Sequence, residues 1–276
     1  PLEAELAQID AAKDLDGIVK LCFDLQALEV SLPLYVWVGQ DRKDSATTAV
    51  YVFQSGLGLP DRDSYLNPES GSMKVREAYV AHVASVLRLL GRRPDEADRD
   101  AARVMDFETE LAKNSRSLED RRDPLRNYNP MAPGDLEARL TPSIAWSDRL
   151  RAWGLSPTRV IVGQPEYLRA LDALLTKTEV ATLRDYLRVH LVDAYAEFLS
   201  RDFDEEHFAF YGRVLGGLQS QSERWKRVLD AEESALGMTL GRLFVKEFFT
   251  EAAKIRYTRM IENIRDALRA RIDRLE

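Results

Sequence analysis

The sequence predicts a mainly α fold, a multi-helical lobe with one small β-hairpin at about residues 33–54. Two observations carry this. From Glu69 onward, apolar residues recur at the 3.6-residue spacing of amphipathic helices. Strand-like segments rich in β-branched and aromatic residues are confined to 33–40 and 47–54, joined by the polar run Asp41-Arg42-Lys43-Asp44-Ser45. No internal repeat or low-complexity linker divides the 276 residues, a length sufficient to bury a sizeable core.

Taken in order, the first 30 residues give two amphipathic helices. Leu2, Leu6 and Ile9 form one stripe and Ile18, Leu21, Cys22, Leu25 and Leu28 the next, with Asp14 as N-cap of the second. After the hairpin, Gly56-Leu57-Gly58-Leu59-Pro60-Asp61 is a tight turn that uses glycine's access to positive φ. A helix over 69–90 places Val75, Tyr79, Val83, Val86, Leu87 and Leu90 on one face and is stopped by Gly91 and Pro94. A second long helix, 95–118, runs through Ala101, Val104, Met105, Glu108 and Leu111. Residues 121–133, with three prolines, read as an ordered loop. Short helices over 133–139 and 142–153 lead to Val160-Ile161-Val162, read as an extended connector. Pro165 opens another helix at the first helical position, where its missing N–H costs nothing. Further helices are expected over 178–199 (capped by Thr178), 206–215, 222–234, 236–248 and 250–275. The last is still periodic at the end of the sequence, from which the polypeptide is expected to continue.

Composition narrows the function classes. A net charge of −7, from 39 Lys and Arg against 46 Asp and Glu interspersed along the chain, leaves no electrostatic footprint for nucleic acid. Cys22 is the only cysteine, so neither an internal disulfide nor a Cys-rich zinc site can form, and its apolar neighbours suggest a buried thiol. No apolar run is long enough to span a bilayer.

Candidate chemistry is sparse. A zincin needs two His four residues apart on a helix with Glu between them, and His82, His190 and His207 have no such partner. The inverted spacing fails because Phe203 stands where the first ligand before Glu206-His207 is required. His190 and Asp193 share a helical turn, but a hydrogen-bonded histidine on a helix seam is the plainer reading. Gly56-x-Gly58 after a strand is not a dinucleotide-binding turn: Pro60 removes an N–H, and Asp61 and Asp63 would repel phosphate. Arg224-Trp225-Lys226-Arg227 and Arg121-Arg122 are flanked by acids, and Glu205-Glu206 and Glu232-Glu233 diverge on a helix. Neither a nucleophile elbow nor a Walker-type loop is present. No residue is assigned a catalytic or metal-binding role, and no substrate-binding residue is named.

The string Gly56-Leu57-Gly58-Leu59-Pro60-Asp61-Arg62-Asp63-Ser64-Tyr65-Leu66 resembles a signature of the neprilysin/endothelin-converting-enzyme family of zinc metallopeptidases. The resemblance continues in order through Arg122-Asp123-Pro124, Tyr128-Asn129-Pro130-Met131, residues 160–168, Phe208-Ala209-Phe210-Tyr211-Gly212, Arg224-Trp225-Lys226-Arg227, residues 236–245, Met260-Ile261-Glu262-Asn263-Ile264 and on to Arg271-Ile272. Val228 stands where animal members often have Cys, which fits a bacterial type, and Ser64 replaces a frequent Tyr.

The resemblance implies that residues 1–276 are the amino-terminal helical lid region of a zinc metalloendopeptidase that hydrolyses oligopeptides, incomplete at both ends. It implies gating of access to a central cavity, with the His-Glu-x-x-His zinc motif in a carboxy-terminal catalytic domain of the same polypeptide. The zinc ligands would lie outside this chain, which alone would be inactive and bind no zinc. Bacterial relatives imply a cell-envelope or secreted setting. The alternative is a stand-alone helical domain that binds peptides or proteins without enzymatic activity.

Overall fold

Strands β1 (Leu34–Gln40) and β2 (Thr48–Gln54) form the expected antiparallel hairpin, with Tyr35 opposite Phe53 and Trp37 opposite Tyr51. The structure is a computed structural model describing residues 1–275. In it the hairpin is half of a larger sheet. Asn129–Met131 forms β3 and Val160–Val162 forms β4; β4 runs parallel to β2 and antiparallel to β3, giving the order β1-β2-β4-β3. The loop and connector expected at these positions are therefore strands. Three residues carry too little alternation to be recognised, and Val160, Ile161 and Val162 are buried on both faces, where strands do not alternate. Pro130 cannot donate to a ladder, which suits β3 to the sheet edge.

One face of the sheet, with Leu34, Val36, Val50, Val52, Val160 and Val162, packs into the helical core. The other builds a small separate cluster of Ala49, Tyr51 and Ile161 with Phe53 and Tyr128. At the β1 edge the Gln26 side chain imitates a neighbouring strand. Its amide donates to Val36 O (2.7 Å), and its carbonyl accepts from Val36 N (3.0 Å).

The core comes from helical stripes. Helices α1 (Glu3–Ala11) and α2 (Leu15–Gln26) lie at the amino terminus, and the Asp14 carboxylate accepts from Gly17 N (2.9 Å) as an N-cap. In α2 the lone thiol of Cys22 is buried, and burial pushes it up to about 12. The short α3 (Arg62–Leu66) is capped by Asp61. Helices α4 (Ser70–Leu89) and α5 (Pro94–Asn114) turn about Gly91, at φ 92°, where Gly91 N bonds Arg88 O and Arg92 N bonds Leu87 O. This is the Schellman end that a C′ glycine allows. Helices α6 (Pro133–Arg139), α7 (Trp146–Ala152), α8 (Pro165–Lys177) and α9 (Val180–Tyr195) follow. Thr178 closes α8 rather than opening α9, its hydroxyl donating to Leu174 O (2.6 Å). Helix α10 (Arg201–His207) continues directly into a π-helix, Phe208–Leu215.

The chain divides into two compact units, Pro1–Gln219 and Ser220–Glu276. The second consists of α11 (Arg224–Phe248) and α12 (Glu251–Ile272), the latter capped by Thr250. The two helices expected over 222–248 are one, because Gly237 has open space around it and no proline interrupts the ladder. Neither helix buries a residue, although Tyr257, Ile261, Ile264, Leu268 and Ile272 make an apolar seam along α12 at coiled-coil spacing. No helix among the described residues is long and apolar enough to cross a membrane.

Candidate functional site

The glycine-rich turn after β2 is held by side chains from four distant helical segments. Its backbone leaves carbonyls and amides that no ladder can pair, and buried groups of that kind need partners. Tyr167 (α8) donates to Ser55 O at 3.0 Å or Pro33 O at 2.6 Å, and Tyr186 (α9) donates to Gly56 O at 2.7 Å. Tyr211, in the π-helix, reaches Gly58 O at 3.3 Å, while Leu59 N donates to the Tyr65 hydroxyl at 2.9 Å. Gly58 N donates to Glu108 of α5 at 3.2 Å. Such close approach explains both glycines. Gly56 sits at φ 86°, and a Cβ there would fall 2.5 Å from the Leu32–Pro33 backbone. A Cβ on Gly58 would fall 1.8 Å from the Tyr79 hydroxyl.

Glu108 is the hub. It is fully buried, and its carboxylate accepts from Tyr65, from Tyr79 (2.9 Å) and from Gly58 N, with His190 Nε2 at 2.8 Å. Burial and the Glu108 charge push the Tyr65 and Tyr79 hydroxyls well above their usual range. A second buried group lies beside it. His82 places Nε2 3.0 Å from Asp193 and Nδ1 3.1 Å from Glu206, and its ring stacks on Phe210 at 5.0 Å. Burial alone would lower its pKa, but the two carboxylates outweigh burial and raise it to about 9, so both nitrogens donate. His207 moves the other way, lowered by burial.

These clusters tie His82 and His190 to carboxylates of the core. Asp193 and Glu206 sit at opposite nitrogens of His82, so the imidazole keeps them apart. Among the described residues no group of three or more His, Cys, Asp or Glu side chains could hold a metal ion. His190 bonds across the core to Glu108 rather than acting with Asp193. In the sequence Glu108 stands on the apolar stripe of its helix with Ala101, Val104 and Leu111, and a carboxylate in that company is the one legible sign of the hub.

The surface beside the turn is concave. One open cleft of about 550 Å³ is lined by Ser55–Arg62 segments with Ser115, Arg116 and Arg121; a second of about 650 Å³ is lined by Tyr35, Arg42, Phe53, Asn127 and Gln164. They share Gln54, Ser55 and Arg121 and adjoin as one grooved surface. Its floor is a closed amide network: Gln54 N donates to Gln164 Oε1 (2.9 Å), Gln164 Nε2 to Asn127 Oδ1 (2.6 Å), and Gln54 Nε2 to Arg116 O (3.1 Å).

A mainly helical body is locked around a tyrosine-anchored turn, and no metal-holding cluster is present among its described residues. The chain belongs to peptidase family M13, whose amino-terminal model it matches over residues 1–276. It is similar to endothelin-converting enzyme 1 of Rattus norvegicus, 32% identical over 248 residues, covering 87% of this chain and 32% of the relative. Among solved structures it resembles the Mycobacterium tuberculosis zinc metalloprotease Zmp1 in complex with inhibitor, with TM-score 0.87 and 32% identity over 98% of this chain and 41% of that one. The open state of Zmp1 matches with TM-score 0.86, over 97% and 42%. The chain thus spans about a third of the curated relatives' length.

Proposed function

We infer that residues 1–276 are the non-catalytic lid region of a zinc metalloendopeptidase acting on oligopeptides, and that this region gates substrate entry to a central cavity. The zinc, its ligands and the general base would belong to a carboxy-terminal catalytic domain of the same polypeptide, so the chain alone is inactive. The observation that carries this reading is the unburied apolar seam of α12, together with exposed Trp225, Leu236, Phe244 and Phe248 on α11. Helices with apolar faces of this extent require a covering partner, and a catalytic lobe fits. The similarity to a zinc metalloprotease solved in an open state and with inhibitor supports gating.

The test has two arms. Translating the gene beyond codon 276 is expected to reveal His-Glu-x-x-His within a few hundred residues; its absence removes the enzyme reading and favours a stand-alone binding domain. Purified residues 1–276 are expected to bind no stoichiometric zinc and to cleave no peptide, and zinc-dependent cleavage would contradict the assignment.

A further inference from the structure

The groove beside the glycine turn has a charge pattern that the fold uses only in part. In a chain of net charge −7, its lining holds four arginines, Arg42, Arg62, Arg116 and Arg121, against one acid, Asp61. Three of these five groups are engaged within the fold. Asp61 accepts from Ser64 N (2.8 Å) and Ser64 Oγ (2.9 Å) as the cap of α3. Arg116 pairs with Glu166 and donates to Arg126 O (3.0 Å) and Gly163 O (3.1 Å). Arg62 donates to Ser115 O (2.9 Å).

Arg42 and Arg121 differ. Both are exposed, and neither guanidinium has a carboxylate partner among the described residues. The Arg42 guanidinium lies over the rings of Tyr51 (5.5 Å) and Phe53 (5.8 Å). Stacking of this kind orients the guanidinium plane and leaves its N–H edge free for a planar anion. Tyr35, 45% exposed, extends the aromatic wall, paired across the hairpin with Phe53. The floor beneath is immobilised by the Gln54–Gln164–Asn127 network, so the wall and the cations are presented on a rigid base, which lowers the cost of binding.

We propose that this groove is a binding site for a carboxylate-bearing peptide segment, with Arg42 and Arg121 taking the carboxylate and the Tyr35–Phe53 wall packing the adjacent apolar side chain. The carboxylate is either an acidic side chain or a free carboxy terminus, which present the same planar anion. The site goes beyond the metallopeptidase reading and stands without it, because nothing in it calls on zinc or on a second lobe.

Three probe tripeptides test it on residues 1–276 by calorimetry and by NMR shift mapping: acetyl-Phe-Glu-Phe-amide, acetyl-Phe-Gln-Phe with a free carboxy terminus, and the fully blocked neutral acetyl-Phe-Gln-Phe-amide. At least one carboxylate-bearing probe is expected to bind saturably, perturbing Tyr35, Phe53 and Gln54, and to weaken with added salt. It should bind about tenfold more tightly than the neutral probe, the size of one good charge-assisted interaction. In the Arg42→Gln/Arg121→Gln double variant that advantage should vanish; both side chains are exposed, so the fold and thermal midpoint should be unchanged. Which carboxylate probe binds better identifies the source of the anion. No saturable binding, equal binding of the neutral probe, or an undiminished advantage in the double variant would each overturn the proposal. None of these outcomes bears on whether a zinc motif lies downstream.

Discussion

Glu108 gathers four donors at one buried carboxylate, and removing it strands all of them. Glu108→Ala is expected to destabilise the first unit by about 3–5 kcal/mol, as for other buried hydrogen-bonded charges that lose a partner. Glu108→Gln keeps the shape but must place an amide N–H against donors, so it should fall in between; urea unfolding monitored by near-UV dichroism measures both. At His82 the expectation concerns pH. Its pKa of about 9 lies above the ordinary 6.5, so its stabilisation is complete below about pH 6.5 and disappears as pH rises through about 9. Two to three pKa units correspond to roughly 3 kcal/mol. Urea midpoints between pH 6 and 9.5 should therefore fall in the wild type and fall less steeply in His82→Gln. Parallel slopes would mean that the imidazole is not charged in the fold.

Among the elements, the glycine turn and the sheet edge make separate expectations. Gly58→Ala drives a Cβ against the Tyr79 hydroxyl and should cost about 2 kcal/mol or more. Combining it with Tyr79→Phe should cost less than the sum of the two, a coupling that a double-mutant cycle reads directly. Gln26→Ala would expose Val36 N–H and C=O at the β1 edge; a loss of about 1–2 kcal/mol and increased self-association by light scattering are expected. Elements were legible in the sequence where their cause is local. The Asp14 cap, the Gly91 stop and Pro165 at a helix start each depend on neighbours within one turn. The strands 129–131 and 160–162 were not, because their pairing is set by partners far along the chain. The His82–Asp193–Glu206 group and the Glu108 hub were hidden for the same reason: their members come from separate helices that nothing local relates. The Gly-Leu-Gly string was recognisable as a signature, yet its meaning, backbone packed against tyrosine hydroxyls, needed three dimensions.

For the whole molecule, membership in peptidase family M13 and a span of about a third of its relatives frame the reading of the second unit. Its seam is expected to be neutral for the chain alone and decisive for association. Ile261→Asp with Ile264→Asp should shift the stability of residues 1–276 by no more than about 0.5 kcal/mol, as exposed positions do. Under the lid reading proposed above, the same pair should abolish binding to the catalytic lobe which that reading requires, supplied in trans and measured by analytical ultracentrifugation. If association survives the two aspartates, the lobe docks elsewhere.

Cys22 has a practical consequence. A single thiol shielded inside α2, and reluctant to ionise, reacts with alkylating reagents only when that helix opens. Timed exposure to such a reagent, read by mass spectrometry, would follow the opening of the amino-terminal core with no engineered label. Against that silent background, one cysteine introduced on the groove rim would carry a fluorophore at a unique address.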